Sequence, residues 1–417
     1  MSPAERDFDI VLYGVTGFSG KLTAGFLARE ATAARIALAG RSRQRLMAVR
    51  DTLGPAAADW PLIVADVSEP ATLKAMAVRT RVVVTTVGPY TRYGLPVVAA
   101  CVQAGTDYAD LTGELMFVRA SIDLYHKQAV DTGARIVCSC GFASIPSDLN
   151  VYQLHRRATQ DGAGELCDTH FVFRSFFQGG GSGGTIASEF ETMRTASSDP
   201  EARRLMRDPY TLTTDRSAEP DLGAQPDLSW RRGSRIAPEL AGFWMGGSLW
   251  ATHNTRIVRR SNALQNWSYG RGFRYAETMS LGRSVAAPVA SAAVTGGLAG
   301  VLALGTKHFN RLPQRWLKPF AKPGNGPSEA MRERGHYVVE TYTTTTSGAR
   351  YLGTFAQQCD AYDATRVLLG ESALALAFDR DRLSDLRGVL TPAAAMGEAL
   401  LARLPAAGVS IATMQLN

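Results

Sequence analysis

Histidine and cysteine are scarce in this 417-residue chain, and their spacing is poor for chemistry. The six histidines never fall four apart as H-x-x-x-H, so no metal centre on a helix face is expected. Five cysteines, an odd number with irregular spacing, argue against a disulfide framework. Cys138 and Cys140 lie two apart in a strand-like run, which sends their side chains to opposite faces and suits neither a metal nor a redox pair. No DNA- or RNA-binding motif is present and the basic residues are dispersed. The net charge of +7 therefore implies an anionic ligand or an acidic partner protein and no nucleic acid. The start, Met1 to Asp7, is charged and leads directly into an apolar run; no signal or transit peptide is read there, which predicts a cytoplasmic protein. Charge is also missing from 285–306, a stretch dominated by Ala, Gly, Ser and Thr. Its length approaches the ~20 residues of a bilayer span, but its weak hydrophobicity favours a core helix pair, or a patch touching lipid or an acyl chain. The basic run that follows (Lys307, Arg311, Arg315, Lys318, Lys322) suits an anionic membrane surface, or is simply solvated.

What is present begins at residue 10. Ile10 to Gly20 is a short apolar strand running into glycines at 14, 17 and 20. In a pyrophosphate-binding turn the three glycines do different things. Gly14 turns the chain, Gly17 lets backbone approach a phosphate, and Gly20 lets the next helix pack close. Thr16 and Phe18 belong to the same turn and are assigned to the cofactor with it. The second strand, Arg35 to Ser42, selects the dinucleotide. An NAD site places Asp or Glu at that strand end, whereas this chain has Arg41 and Ser42, which suit the 2′-phosphate of NADPH.

Strand and helix then alternate. Pro61–Asp66 reads as a third strand, with Asp66 either contacting adenine or capping the helix that begins at Pro70. Arg81–Val87 is a fourth, ending in Gly88 and Pro89, which should lie along the cofactor because ligands bind beyond the carboxyl ends of such strands. Fifth and sixth strands follow at Thr106–Leu111 and Ala134–Cys140. The prediction is an α/β protein: an N-terminal doubly wound Rossmann domain over 1–150, and a second α+β domain on a largely antiparallel sheet over 151–360. C-terminal helices over 361–417 should pack back on the first domain. In the second domain, strands are read at Asp168–Phe177, Thr255–Arg259, Phe273–Met279, His336–Thr346 and Tyr351–Gln357. The glycine run at 179–184 reads as a hinge, or as a loop bringing backbone to a ligand.

Five motifs resemble the saccharopine dehydrogenase-like family: Phe8–Lys21, Ala39–Ser42, Thr86–Pro96, Tyr108–Glu114 and Cys140–Asp148. Asn254–Leu264 and Leu390–Gly397 are similar to its trans-acting enoyl reductase branch, and the resemblance covers essentially the whole chain. It implies an NADPH-dependent enzyme that reduces a carbon–carbon double bond in a lipid-like enoyl thioester. The partner it implies is a polyketide synthase module, or its acyl carrier domain, lacking an enoyl reductase of its own. The products implied are phthiocerol dimycocerosates and phenolic glycolipids. One departure is Ala143, where the family pattern has Asp before Ser144; that loop is either ordered by another group or the enzyme is less active.

Enoyl reduction needs a hydride, a proton and stabilisation of the enolate oxygen. Tyr90 and Tyr93, just beyond the fourth strand, are the candidate proton donors, with solvent as the alternative. Arg92 is the candidate for holding the thioester or a phosphopantetheine phosphate. Thr112 and Glu114 either contact cofactor or cap a helix, and His126 is read as structural. Two rivals stand beside this reading. A C–N oxidoreductase would need a cationic cluster for substrate carboxylates, of which Arg259–Arg260 is the only hint. A non-catalytic NADPH-binding sensor would need no acid at all.

Overall fold

The computed structural model describes residues 6–313, 319 and 324–417. Met1–Glu5 and the basic positions Arg315, Lys318 and Lys322 lie outside the described residues. In the first half the chain forms β1 (Phe8–Tyr13), α1 (Phe18–Glu30), β2 (Ile36–Gly40), α2 (Arg43–Arg50), β3 (Leu62–Val64) and α3 (Pro70–Ala77). It continues through β4 (Thr80–Thr85), α4 (Tyr90–Ala104), β5 (Asp107–Asp110), α5 (Leu115–Thr132), β6 (Arg135–Val137) and α6 (Ile145–Gln160). All six residues of β1 are buried, as a parallel strand covered on both faces requires. Val11 lies opposite Ala37 of β2 and Val83 of β4, so the strands run in register toward one carboxyl edge.

The second half supplies β7 (Leu166–Phe177), α7 (Gly183–Ser198), α8 (Pro200–Arg207), β8 (Arg231–Arg232), β9 (Trp244–Gly247), α9 (Ala251–Leu264), β10 (Arg274–Ser280) and α10 (Ala287–His308). After it come α11 (Glu329–Arg332), β11 (His336–Thr345), β12 (Arg350–Gln357), α12 (Ala361–Phe378), β13 (Gly388–Leu390), α13 (Pro392–Arg403) and β14 (Ser410–Leu416). The first sheet has the order β13-β6-β5-β4-β1-β2-β3, a doubly wound arrangement with its crossover between β1 and β4. The second has the order β14-β12-β11-β7-β10-β9-β8; β7 and β10 are parallel and the remaining pairs antiparallel.

Three sequence expectations change. Thr255–Arg259 is helix, inside α9, because helical spacing puts Arg256, Arg259 and Arg260 where their guanidiniums reach backbone carbonyls of Met206, Tyr275, Leu212 and Val389. The C-terminal segment contributes more than helices: β13 is the seventh strand of the first sheet and β14 closes one edge of the second. The stretch 285–306 forms one helix, α10, not a core pair, and most of its residues face solvent; Val289 is 72% exposed and Leu304 64%.

The halves share one core. Phe142, in the loop after β6, packs on Phe176, Trp250 and Tyr337, and α12, buried along nearly its whole length, lies on α1 where Gly370 meets the ring of Phe26. Asn254 orders the loop at Ala143: its amide donates to the Ala143 carbonyl at 2.6 Å, and the Ser144 hydroxyl donates to its side-chain oxygen at 2.9 Å.

Candidate functional site

The turn after β1 is built from backbone. Gly14 has φ +91°, and a Cβ there would stand 2.5 Å from Val87 Cγ2. Gly20 is closed in as tightly, its Cβ direction pointing at the Gly14 carbonyl oxygen 2.5 Å away. Gly17 differs. Its φ is −78°, open to any residue, and a Cβ would meet only the Gly14 oxygen at 3.4 Å. Among the described residues no other atom comes within 4 Å of a Cβ on Gly17, and α1 begins there with no side-chain cap and no acidic residue in its first turn. Uncapped N–H groups beside an open glycine make a cradle for a pyrophosphate, so the residues fit a dinucleotide. Phe18 opens α1 and sets its ring edge-on against Tyr362, with centroids 5.2 Å apart. Thr16 lies in the turn between Gly14 and Gly17.

Beyond β2, Arg41 is exposed, while Ser42 caps α2 by accepting from Arg45 N at 3.4 Å. Asp66 does not cap α3, whose N-cap position is Glu69. Instead its carboxylate takes hydrogen bonds from the Ser68 amide (2.9 Å) and hydroxyl (2.8 Å). Those bonds, and then the charge of Arg41, hold Asp66 below the ordinary carboxylate range. Tyr13, buried under this edge, is pushed up to about 12, first by burial and then by Asp66. Arg41 and Asp66 thus stand near each other beyond the carboxyl ends of β2 and β3.

At the end of β4 the chain passes through Gly88 and Pro89 into α4. Glu114 caps this helix from the next loop, accepting from Tyr90 N at 2.7 Å and from Thr91 N at 2.8 Å and Thr91 Oγ1 at 2.6 Å. Thr112 Oγ1 accepts from Glu114 N at 3.0 Å and so holds in place the residue that caps α4. Tyr90 is buried, donates to the Thr85 carbonyl at 3.1 Å and packs on Phe117. The expectation of a proton donor at Tyr90 gives way to a role in fixing the start of α4, because its hydroxyl is spent on backbone and burial drives its pKa well above the usual phenol value. Tyr93 is 37% exposed. Arg92 reaches across to α7 and pairs with Glu191 at 2.8 Å.

The glycine run does not stand free. Ser182 caps α7, accepting from Thr185 N at 3.2 Å, its own amide donates to the Tyr362 hydroxyl, and Gly183 N donates to the Asn325 carbonyl at 3.0 Å. Tyr362 touches Phe18, so the run brings α7 to the mouth of the glycine turn.

Sequence reasoning passed over a layer of buried carboxyls beneath this edge. Asp110 accepts from Thr112 N, Ser139 N and Tyr108 Oη, and desolvation lifts it to about 6. Glu277 accepts from Ser147, Tyr275 and Asn254 and is lifted by burial to about 7. Asp148, bound to Ser261 and to Ala393 N, is likewise lifted to about 7. Ser139, at φ +68°, shares a 2.9 Å hydrogen bond with His253 Nε2. The sequence signal was present, since Asp110 and Asp148 lie in the family motifs at 108–114 and 140–148, but the partners of Asp148, Ser261 on α9 and Ala393 on α13, are more than a hundred residues away. His126 is structural, accepting from Val389 N at 3.1 Å. Arg259 and Arg260 are buried against carbonyls and cannot present a carboxylate-binding cluster, which removes the structural basis for C–N chemistry.

A doubly wound parallel sheet with an uncapped glycine turn and an arginine beyond its second strand defines a dinucleotide-dependent α/β oxidoreductase fold. Residues 10–137 match the saccharopine dehydrogenase NADP binding domain family, so the dinucleotide is of the NADP type. The chain is 71% identical to a trans-acting enoyl reductase of Mycobacterium ulcerans and 70% identical to one of Mycobacterium tuberculosis, in each case over 100% of both chains. It belongs to the trans-acting enoyl reductase family. Apo saccharopine dehydrogenase (L-Glu forming) from Saccharomyces cerevisiae has the same fold at 13% identity, with a TM-score of 0.53 over 98% of this chain and 100% of that one.

Proposed function

We propose that this protein is an NADPH-dependent trans-acting enoyl reductase. Its substrate is a carrier-bound polyketide intermediate, in which it saturates a carbon–carbon double bond during phthiocerol dimycocerosate and phenolic glycolipid biosynthesis. The observation that carries the reading is full-length membership of the family together with a glycine cradle that fits the cofactor. NADPH, when bound, supplies the hydride for the β-carbon.

The rest falls to the chain. Thr16, Phe18 and Gly20 hold the pyrophosphate through the turn and the uncapped start of α1, while Gly14 and Gly17, whose N–H groups donate to the Ala39 and Gly14 carbonyls, shape the turn and leave room for it. Arg41, with Ser42 beside it, takes the 2′-phosphate, and Asp66 lies at the adenosine end. Gly88 and Pro89 line the nicotinamide side. Tyr93 shapes the opening, and Arg92, paired with Glu191, struts α7 against α4.

The acyl tail is too apolar to travel free, so it arrives tethered to an acidic carrier domain of a synthase module. Helix α10 leaves Val289, Val301 and Leu304 exposed, and the charge-free run ends at Lys307. We assign this face to the acyl tail. The same face gives the enzyme, working in the cytoplasm, a peripheral contact with the membrane.

The test is NADPH oxidation with an enoyl-loaded carrier protein and with a short soluble enoyl thioester, over a salt series. Faster turnover of the loaded carrier, falling as salt rises, supports tethered delivery. Equal, salt-independent turnover of both refutes it. NADPH oxidation with a keto acid and amine, and none with either thioester, removes the enoyl reductase reading. In a strain lacking the protein, the affected lipids should carry one extra unsaturation.

A further inference from the structure

The end of the second sheet made by β8 and β9 gathers arginines around exposed aromatic rings. Arg232 pairs with Trp244 across the two strands and lays its guanidinium over that ring, with Cζ 5.3 Å from the centroid. Trp230 stacks on the same indole at 5.6 Å and is 51% exposed. Beside them Arg283 and Arg174 each place Cζ 4.0 Å from the centroid of Phe243. Arg174 is paired with Glu340 at 2.8 Å. Arg232 and Arg283 are exposed and have no hydrogen bond or ion pair among the described residues. A guanidinium whose face rests on a ring is held in place while its N–H fork stays free for a carboxylate or phosphate.

The chain around this patch is free of acid. Residues 228–238 hold Arg231, Arg232 and Arg235 and no Asp or Glu, and neither acid occurs from 278 to 328, where Arg283, Lys307, Arg311, Arg315, Lys318 and Lys322 are found. Arg231 faces Asp168 and Arg235 lines a cavity with it, which leaves Arg232 and Arg283 as the free cations of the patch.

The patch is continuous with α10. Trp230 Nε1 donates to Ser291 Oγ and Gly247 N to Thr295 Oγ1, both at 2.9 Å, and Val285, two residues past Arg283, is 98% exposed. Helices α10 and α7 run in the same sense, since Gly305 meets Met193 and, five residues on, Asn310 Nδ2 donates to Ser198 Oγ at 2.8 Å. The start of α10 therefore lies toward the start of α7. That end of α7 reaches the cofactor edge, where a Cβ on Gly88 would stand 3.2 Å from Ser188 Oγ and Thr185 Oγ1 lies 3.1 Å from the hydroxyl of Tyr362, beside Phe18.

We propose that this end of the second sheet, through Arg232, Arg283 and Trp230, is the docking surface for the acidic carrier domain, an inference that rests on the tethered-delivery reading. The two arginines pair with carboxylates of the carrier or with the phosphate of its prosthetic arm, and their charge steers the encounter. Trp230 is the aromatic anchor of the interface. From there the acyl chain continues along the apolar face of α10.

The experiment compares the full-length protein with Arg232→Glu, Arg283→Glu, the double variant and Trp230→Ala, on an enoyl-loaded carrier protein. Lys127→Glu, exposed on α5, makes the same charge change elsewhere. The double variant should raise KM for the loaded carrier about tenfold or more, keep kcat and the NADPH Kd within about twofold, and flatten the salt dependence of kcat/KM. Trp230→Ala should raise KM about tenfold, and Lys127→Glu should leave it within about twofold. An unchanged KM in the double variant, with turnover by the parent still falling as salt rises, overturns the surface and leaves tethered delivery intact. An equal loss in Lys127→Glu, or a matching loss of NADPH affinity in the double variant, overturns it too. So does weaker binding of the double variant to phosphatidylcholine–phosphatidylglycerol vesicles with carrier KM unchanged, which makes the patch a membrane contact. If the parent turns over a short soluble thioester as well as the loaded carrier, and salt affects neither, both readings fall.

Discussion

In the first sheet β1 takes its neighbours from residues 36–40 and 80–85, whereas in the second β7 takes its from 274–280 and 336–345. Six strands of the first arrangement come from successive strand–helix units, and only β13 is brought in from far along the chain. The second must bring together strands separated by more than a hundred residues, and its loops carry α7 and α10. The two halves also use different materials where function is concerned. The cofactor turn is all backbone, and Gly14 and Gly20 are fixed by the chain's own atoms. Around α9 the packing depends on side chains: three buried arginines donate to carbonyls, and Asn254 ties a loop of the first half to Glu277. A phosphate cradle needs close backbone approach, so it belongs to the local half. A cover for a long substrate can be assembled from distant segments.

Arg260→Met should have the largest effect on stability. It leaves the carbonyls of Leu212 and Val389 buried without their donor, at a cost of about 3 kcal/mol, whereas Arg43→Met on the exposed start of α2 should cost less than about 0.5 kcal/mol. Urea unfolding of both variants measures the contrast, and equal losses would dissolve it.

The glycine turn gives a second contrast. Gly17→Val should remain as stable as the parent but lose roughly 100-fold or more in NADPH affinity, because only a ligand occupies the space its side chain would enter. Gly20→Val should instead be destabilised, since its Cβ meets the Gly14 carbonyl. Thermal melts with and without NADPH separate the two, and an unchanged NADPH-induced shift in Gly17→Val would take that glycine out of the site.

Arg41→Ala should cost about 1.4 kcal/mol or more of the preference for NADPH over NADH, a tenfold change, because one charge-assisted pair is lost and the carboxylate of Asp66 remains. Fluorescence titration with both cofactors tests it. Equal affinities already in the parent would refute the assignment of the 2′-phosphate.

The smallest effect concerns pH. The Glu277 pKa is raised from 4.5 to about 7 in the folded protein, so the folded state holds a proton that the unfolded state has released. Its contribution to stability is complete below about 4.5 and is lost as pH rises through about 7. Glu277→Gln should therefore lose less stability than the parent between pH 5 and 7.5 in urea titrations. Parallel curves would show that Glu277 ionises freely.

Most of the first half was legible because its signals are short-range. The apolar runs at 8–13 and 80–85 and the glycines at 14, 17 and 20 each mark an element or turn within a few residues. The second half was less so. Thr255–Arg259 has a strand-like composition, and only the surrounding carbonyls make a helix with three buried arginines the better solution. β13 is short, and the partners of β13 and β14 are β6 and β12, so nothing nearby in sequence marked either as a sheet edge. Tyr90 looked like a reactive phenol because it follows a strand end, but its direction depends on the Thr85 carbonyl and the Phe117 ring.

The sequence by itself determined the doubly wound half, the glycine turn after β1 and an arginine in place of a carboxylate beyond β2, because each follows from backbone sterics or local charge. Only the tertiary structure decided which polar groups are spent and which are free. Tyr90, Glu114, Arg259 and Arg260 are spent inside the fold. The reason is physical: whether a side chain's hydrogen-bonding capacity is satisfied depends on atoms brought near it by distant parts of the chain.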